Sequence, residues 1–145
     1  MKVFAENRKA RNSYEFLEFI EAGVVLSGQE TKSIRNGGAS LIDAFAVIEN
    51  EEAWIRELNI ERYKFSSQED YEPKKVRKLL LHKKEIKRLI GLTSIKGNAL
   101  VATKIFEKNG YIKIELALAK GKRDYDKRKK ITKKQHQKEM KDYKE

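Results

Sequence analysis

The dipeptide Asn109-Gly110 constrains the fold of this chain more than any other feature of its sequence. It separates two runs rich in β-branched and apolar residues, which favour strands. A two-residue type I′ turn needs positive φ at both central positions, and Asn-Gly is a pair that adopts this geometry at little cost. We therefore predict an antiparallel β-hairpin within residues 100–119.

The turn also predicts the register of the hairpin, because side chains alternate between the two faces of a sheet. One face pairs Lys108 with Tyr111, Phe106 with Lys113, Lys104 with Glu115, and Ala102 with Ala117. The other face, predicted to lie in the core, pairs Ile105 with Ile114, Thr103 with Leu116, and Val101 with Leu118. The first face leaves four side chains outside: Lys108, Tyr111, Phe106 and Lys113. Aromatic rings between lysines can bind unpaired nucleotides, because the rings stack on bases and the lysines contact phosphates. Packing of Phe106 beneath a flanking helix is an equally supported alternative.

The segments before the hairpin predict further strands and a helix. Residues 14–28 are rich in aromatic and β-branched types and favour one long strand that ends near Gly28. Ser-Gly-Gln-Glu at 27–30 matches a capping box and Asn-Gly-Gly at 36–38 is a stop signal, so a helix spans 28–35. Residues 44–58 predict two strands joined by the polar turn Glu-Asn-Glu-Glu.

The remaining segments complete the predicted barrel. Residues 64–76 are polar and contain the only proline, Pro73, so they predict a loop. Lys-Leu-Leu-Leu at 78–81 is either a short buried strand or a helix entry, since periodicity does not separate the two at this length. Next, Ile86, Leu89 and Ile90 recur at helical spacing, with Gly91 as a cap. Together these elements predict a mostly β chain: an OB-fold-like antiparallel β-barrel with two to three flanking helices.

Positive charge is concentrated at the two ends of the chain. Of the formal net charge of +11, residues 120–145 hold twelve Lys/Arg against five Asp/Glu, and residues 1–13 hold four against one. We therefore predict three parts: a basic N-terminal arm (1–13), a nearly neutral barrel (14–119) and a basic C-terminal tail (120–145). The tail has few apolar residues, which predicts disorder in the free protein. It has neither proline nor glycine after Gly121, which is compatible with a helix on binding. Basic ends are typical of nucleic-acid binding, and a solubilising tail is the alternative.

Composition argues against several other classes of protein. The absence of cysteine removes disulfides, thiol catalysis and cysteine-ligated metal sites. No signal peptide and no apolar run of about 20 residues is visible, so we expect a soluble, cytoplasmic protein with no membrane role. The two histidines, His82 and His136, are too few and too separated for a metal site, and we expect no cofactor. Glu21, Glu30 and Asp43 are conceivable magnesium ligands of a nuclease, but salt bridges are favoured, so we predict binding rather than catalysis.

Five stretches of the sequence, in order, resemble motifs of the small protein B family, the SsrA-binding proteins of bacterial trans-translation. They are NRKARN at 7–12, FIEAG at 19–23, SGQETKSIRNGGASLIDAFA at 27–46, EPKKVRKLLLHKKEI at 72–86 and LALAKGKRDYDKR at 116–128. Each motif alone is a weak signal, whereas five in the right order are specific. The sequence departs from the family pattern at Asn12, Gly38 and Lys75, where histidine, lysine and arginine are common.

The resemblance implies a barrel without catalytic activity that binds the tRNA-like domain of transfer-messenger RNA as a monomer, one protein per RNA. It further implies delivery of that RNA to stalled ribosomes, with the tail in the empty mRNA channel near the decoding centre. By matching position, the implied RNA-binding residues are Asn7, Arg8, Lys9, Arg11, Glu21, Leu80, His82 and Lys113. In the tail, the resemblance implies RNA-backbone contacts by Lys120, Lys122 and Arg123, and a decoding-centre role for Tyr125, Asp126, Lys127 and Arg128.

Two residues connect this implied surface with the analysis of the hairpin. Lys113 also belongs to the outer face of the hairpin, which favours the RNA interpretation of that face. Glu21 fits an RNA surface only as an acceptor for base edges or as an orienter of basic groups, because a carboxylate repels phosphate. The rivals are an OB-type protein held permanently on ribosomal RNA and the magnesium nuclease. A membrane-surface role for the tail is weaker, since the tail lacks the apolar stripe of an interfacial helix.

Overall fold

The computed structural model describes residues 2–121, which form nine strands and three helices. The helices are α1 (Ala10–Ser13), α2 (Gly28–Arg35) and α3 (Lys83–Thr93). The strands are β1 (Lys2–Glu6), β2 (Tyr14–Val24), β3 (Ala39–Ser40), β4 (Phe45–Glu49), β5 (Glu52–Arg56), β6 (Asn59–Ile60), β7 (Arg77–Leu80), β8 (Asn98–Lys108) and β9 (Tyr111–Gly121).

Six of these strands close into an antiparallel barrel. Their order is β8-β4-β5-β7-β2-β9, and β9 pairs again with β8 to complete the ring. Strand β1 adds to β8, while β3 and β6 form a separate two-stranded sheet. The predicted OB-fold-like barrel with flanking helices is therefore confirmed. Within residues 2–121, none of the helices has the length and apolar character needed to span a membrane.

The barrel is filled by aliphatic side chains that alternate along its strands. Ile55, Ile105 and Ile114 are fully buried there, and Ile34 of α2 and Leu89 of α3 belong to the same core. Full burial of one such side chain contributes about 1.5–3 kcal/mol. The two longer helices are thus part of the barrel's own core rather than attached to its outside.

The β8–β9 hairpin has the predicted turn, since Asn109 and Gly110 have φ angles of 53° and 82°. Its register is as predicted from the turn as far as Lys104 opposite Glu115. A β-bulge between Ala102 and Lys104 then shifts the pairing by one residue. The predicted pairs Ala102–Ala117, Thr103–Leu116 and Val101–Leu118 are wrong. The observed pairs are Ala102 with Leu116, Val101 with Ala117, and Leu100 with Leu118.

The bulge is centred on Thr103, which bonds through its side chain. Its hydroxyl donates to the backbone oxygen of Glu115 at 3.0 Å and lies 2.8 Å from Oε1 of the same residue. A bulge places two residues opposite one and exchanges the faces of the strand beyond it. As a result Leu100 and Ala102 join the core, whereas Val101 packs in a separate small cluster.

The outer face of the hairpin also differs from the prediction at Phe106. This ring is 4% exposed, so the predicted exposed patch does not include it. Strand β1, which the sequence did not predict, lies along β8 here, with Val3 opposite Phe106. Tyr111 and Lys108 are exposed as predicted. Residues 2–13 thus include β1 and α1, and the three-part division of the chain stays a prediction.

Most local signals elsewhere are confirmed. Ser27 Oγ accepts from the Glu30 amide at 3.1 Å and Glu30 Oε1 accepts from the Ser27 amide at 2.8 Å, which is the predicted capping box of α2. The segment 78–81 resolves as strand β7 rather than a helix entry. Two boundaries differ: β2 ends at Val24, before Gly28, and α3 continues through Gly91 to Thr93.

A buried ion pair joins α2 to the first residue of β7. Arg77 Nε donates to Glu30 Oε2 at 2.6 Å, and the two side chains are 2% and 3% exposed. The remaining guanidinium nitrogens donate to the Tyr71 hydroxyl and to the backbone oxygens of Leu58, Pro73 and Lys75. Burial works to raise the pKa of Glu30, but the hydrogen bonds from Ser27 and Arg77 outweigh it and hold that pKa below its usual value. This network fixes the start of β7.

Candidate nucleic-acid interface

Four residues of the implied RNA surface line one groove, although they come from four different elements. Glu21 lies on β2, Leu80 at the end of β7, His82 at the N-cap of α3 and Lys113 on β9. The groove has a volume of about 540 Å³ and opens on the barrel surface. The fold therefore brings together side chains as distant in the sequence as Glu21 and Lys113.

Gly23 is the position at which the sheet assembles this groove. It pairs with Lys113 of β9 on one side and with Leu80 of β7 on the other. A Cβ atom on Gly23 would lie 3.2 Å from the Cβ of Leu80, which is tighter than an ordinary contact, so the glycine permits the close approach of β7. Leu80 itself is 53% exposed and offers an apolar surface to a base or ribose.

Glu21 holds two ammonium groups side by side. Its Oε1 lies 3.2 Å from Lys108 Nζ and its Oε2 lies 3.7 Å from Lys113 Nζ. All three side chains are partly exposed, so each pair is worth at most about 1 kcal/mol of stability. Contact with two lysines is compatible with Glu21 as an orienter of basic groups, and its role as an acceptor for base edges stays a prediction too. Two lysines against one carboxylate leave this wall positive.

The opposite wall of the groove comes from β2 and α3. Arg88 Nη1 donates to Glu18 Oε1 at 3.0 Å, and Arg88 also contacts Glu85. The hydrogen bond from Arg88 lowers the pKa of the Glu18 carboxyl. His82 is exposed beside this wall, and its imidazole makes no capping bond to α3. This side of the groove thus offers carboxylate acceptors and an imidazole rather than a concentration of positive charge.

The N-terminal residues of the implied surface lie at a second pocket, also of about 540 Å³. Asn7, Arg8 and Arg11 line it together with Lys104 of β8. Arg8 is 87% exposed, with Glu6 at 3.7 Å, so its guanidinium can reach a phosphate. Lys9 is exposed but lines a different pocket.

Asn7 differs from its neighbours because its amide is buried and fully engaged. Its Nδ2 donates to the backbone oxygens of Leu41 at 3.0 Å and Ala102 at 3.2 Å, and its Oδ1 accepts from the Ala10 amide at 3.2 Å. The residue is 8% exposed. Its side chain therefore anchors the segment that carries Arg8.

Sequence reasoning missed Phe19, which lines both pockets. The ring is 56% exposed and meets Phe16 edge to face, with centroids 5.6 Å apart. It joins the groove to the N-terminal pocket and supplies a stacking surface between them. The available signal was its spacing from Glu21, since residues two apart on a strand share a face.

The implied residues of the tail are only partly within the described chain. Lys120 is exposed near the end of β9, opposite Glu15 of β2. Lys122, Arg123, Tyr125, Asp126, Lys127 and Arg128 lie outside the described residues, as do the predicted disorder of the tail and its helix on binding.

The carboxylates of the nuclease alternative have other partners or positions. Glu30 is paired with Arg77 in the core, Glu21 lies between two lysines, and Asp43 is exposed with a φ angle of 66°. Among the residues that the structure describes, no three His, Asp or Glu side chains are grouped so as to hold a metal ion. Nothing in this arrangement favours that alternative over binding.

The three departures from the family pattern have different surroundings. A Cβ on Gly38 would lie 2.4 Å from Ser33 Oγ, so a lysine there requires Ser33 to move. Lys75 Nζ lies 3.8 Å from Glu30 Oε2, which places its charge beside the buried ion pair. Asn12 is exposed on α1.

Comparisons with known proteins found a matching family, similar sequences and a similar structure. The family model described as SmpB protein matches residues 4–145. The SsrA-binding protein of Nocardia farcinica is 46% identical over 139 residues, 96% of this chain and 87% of that protein. That of Carboxydothermus hydrogenoformans is 50% identical over 139 residues, 96% of this chain and 93% of that protein. A chain from the structure described as "tmRNA-SmpB: a journey to the center of the bacterial ribosome" is similar with a TM-score of 0.71 and 44% identity, covering 89% of this chain and 91% of that one.

Proposed function

The chain belongs to the SmpB protein family, and on that premise we propose that it binds the tRNA-like domain of transfer-messenger RNA and delivers this RNA to stalled ribosomes for trans-translation. The related proteins are SsrA-binding proteins, and the similar structure concerns a tmRNA–SmpB pair in the bacterial ribosome. The function includes no chemical step, and it takes place in the bacterial cytoplasm with one protein bound per RNA.

The observation that carries this proposal is the groove that contains Glu21, Leu80, His82 and Lys113 together. Its two walls differ in charge, which suits a folded RNA rather than a uniform duplex. Lysines next to Glu21 would meet phosphates on one side. The carboxylates and the exposed imidazole on the other side would accept or donate hydrogen bonds to base edges that are not paired.

The N-terminal pocket extends the same surface. Arg8 and Arg11 would bind phosphate oxygens, with Lys9 nearby and with Asn7 holding the segment in place. Phe19 lies between this pocket and the groove, so a nucleotide that stacks on it would bridge the two groups of contacts. Base–aromatic stacking of this kind is worth about 1–3 kcal/mol per base.

The C-terminal residues provide the ribosomal half of the function. Lys120, Lys122 and Arg123 would contact RNA backbone, while Tyr125, Asp126, Lys127 and Arg128 would lie at the decoding centre within the mRNA channel. Because β9 extends to Gly121, a deletion that tests the tail without removing a strand begins at residue 122. Deletion of 122–145 is expected to leave binding of the tRNA-like domain largely intact and to abolish peptide tagging on ribosomes.

The direct test is fluorescence anisotropy with the labelled tRNA-like domain and the full-length protein. Lys113→Ala is expected to weaken binding about tenfold or more and to reduce the log–log salt slope by about 0.7–0.9, because one charged contact with phosphate is lost. The matched control is Lys96→Ala, which removes an exposed lysine that lines neither pocket. Equal affinity of the wild-type protein for the tRNA-like domain and for an unrelated RNA hairpin would contradict the proposal.

A second measurement separates this function from a permanent ribosomal protein. The protein is purified from bacterial lysate at moderate salt, and the RNA that accompanies it is sequenced. Strong enrichment of transfer-messenger RNA over ribosomal RNA is the expected result. Bulk ribosomal RNA, with one protein on every salt-washed ribosome, would support the constitutive ribosome binder instead.

A further inference from the structure

We propose that the loop between β6 and β7 carries a second RNA-binding site, in which Tyr63 and Phe65 stack on an unpaired nucleotide of ribosomal RNA. The inference rests on the proposed function, because that function brings this surface to the ribosome. The site is separate from the groove and from the N-terminal pocket.

Phe65 is the most exposed large apolar side chain in the described part of the chain, at 72%. Its ring meets the Tyr63 ring edge to face, with centroids 5.4 Å apart. Exposure of a phenylalanine to water forfeits the favourable free energy of burying its ring. A solvent-exposed ring that is supported by a second ring can serve as a stacking surface for a base.

The loop that carries these rings is tied together internally. Arg62 Nε donates to the backbone oxygen of Gln68 at 2.6 Å, and Arg62 Nη2 donates to that of Ser66. Ser66 is 8% exposed, and its amide donates to the Tyr63 backbone oxygen at 2.8 Å. These bonds close a compact turn around Phe65. Because the loop is already ordered, binding a nucleotide would cost less conformational entropy.

Positive charge accompanies each ring. Lys32 Nζ of α2 lies 5.7 Å from the Tyr63 ring centroid, and Lys64 Nζ lies 5.0 Å from that of Phe65. A pocket of about 430 Å³ beside the loop is lined by Tyr63 and Lys64 together with Asn36 at the C-cap of α2. Aromatic faces with adjacent ammonium groups are complementary to a base and its phosphate, which favours RNA over an apolar protein segment.

The site is assigned to the ribosome rather than to transfer-messenger RNA because its pocket is distinct from the two pockets proposed for that RNA. None of the residues that line its pocket lines the groove or the N-terminal pocket. Binding of the tRNA-like domain at those two pockets would therefore leave the loop free. The tail would meet the ribosome at the decoding centre, and the loop would add a contact from the barrel itself.

The test compares Phe65→Ala with Phe65→Trp and with the control Val76→Ala, all in the full-length protein. Val76 is also exposed, at 49%, but it carries no ring that could stack on a base. We expect Phe65→Ala to weaken binding to vacant ribosomes about 5- to 150-fold, the range for loss of one stacked base, while Phe65→Trp and Val76→Ala stay near wild type. Affinity for the isolated tRNA-like domain should change less than about twofold in all three variants. The reason is that the ring at position 65 would not stack on this RNA, which binds at the groove and the N-terminal pocket.

A photo-cross-linker at position 65 identifies the contact directly. With 4-benzoylphenylalanine in place of Phe65, cross-links to ribosomal RNA support the site, whereas cross-links only to a ribosomal protein overturn it. Unchanged ribosome binding by Phe65→Ala also overturns it, as does a loss confined to the tRNA-like domain. Failure of the proposed function would give a different result: the wild-type protein would not bind the tRNA-like domain. The outcomes above concern ribosome binding and cross-linking by variants at position 65, so the two failures are distinguishable.

Discussion

Replacing Glu30 with glutamine tests how strongly the buried ion pair secures the fold. The substitution keeps the shape of the side chain but leaves Arg77 as a buried cation, 2% exposed, without its counter-ion 2.6 Å away. Removal of one partner from a buried pair typically costs about 3–5 kcal/mol, because the remaining charge is left uncompensated. That is a large share of the roughly 5–15 kcal/mol by which a domain is stable. Glu30→Gln is therefore expected to lower the free energy of unfolding by about 3–5 kcal/mol at pH 7.

Urea denaturation measures this quantity, with the fluorescence of Trp54, the single tryptophan, as the probe. The matched control is Glu52→Gln, which removes an ion pair with Lys78 of similar length, 2.9 Å, whose side chains are 45% and 41% exposed. Exposed pairs contribute about 0–1 kcal/mol, so the control should remain close to wild type. A loss below about 1 kcal/mol in Glu30→Gln, equal to that of the control, would refute the argument from burial.

The pH dependence of the free energy of unfolding gives a second test of the Glu30–Arg77 pair. The pKa of Glu30 is lowered in the folded protein, so the pair stabilises the fold fully above the unfolded pKa of about 4.3. That contribution disappears as the pH falls from there through the folded pKa. The difference in stability between wild type and Glu30→Gln should accordingly shrink as the pH is lowered below about 4. A difference that stays constant between pH 7 and pH 3 would mean that the carboxylate charge is not its source.

The remaining predictions concern the surface. Phe19→Ala is expected to weaken binding of the tRNA-like domain about 5- to 150-fold and Phe19→Tyr to preserve it, whereas equal losses would exclude stacking. Gly23→Ala should displace Leu80 and weaken the same binding, measured by anisotropy, because the new Cβ would lie 3.2 Å from the Leu80 Cβ. Asn7→Ala should lower the free energy of unfolding by about 1–3 kcal/mol, since it leaves the buried carbonyls of Leu41 and Ala102 without their donor. Thermal unfolding checks the last result, and an unchanged melting temperature with lost RNA affinity would make Asn7 a direct RNA contact.

The elements that the sequence predicts correctly are those encoded locally. The Asn-Gly turn and the capping box at Ser27 each depend on a few neighbouring residues, and both are present in the structure. Strand β1 has no such signal, because its partner β8 lies about a hundred residues away along the chain. The bulge at Thr103 was equally inaccessible, since it depends on a hydrogen bond across the hairpin to Glu115.

The same distinction applies to the site. Glu21 and Lys113 were identified because motifs and a hairpin face point to them, and the structure places them in one groove. Phe19 was missed because a phenylalanine in a strand is normally read as core, and only the barrel shows that its ring faces outward. The predicted exposure of the Phe106 ring was wrong, because the hairpin alone does not reveal that β1 pairs with β8 at this residue.

The pairing of β1 with β8 has a consequence for how the protein is made. Residues 2–6 leave the ribosome before their partners at 104–107, which are synthesised about 100 residues later. At typical rates of roughly 5–20 residues per second, the amino terminus waits about 5–20 seconds for its place in the sheet. Arg8 and Arg11 follow closely on β1, and the pocket that they line is completed by Lys104 of β8. A nascent chain that stops before β8 therefore lacks the Lys104 side of the N-terminal pocket, so the RNA binding proposed for that surface requires β8 to have been synthesised.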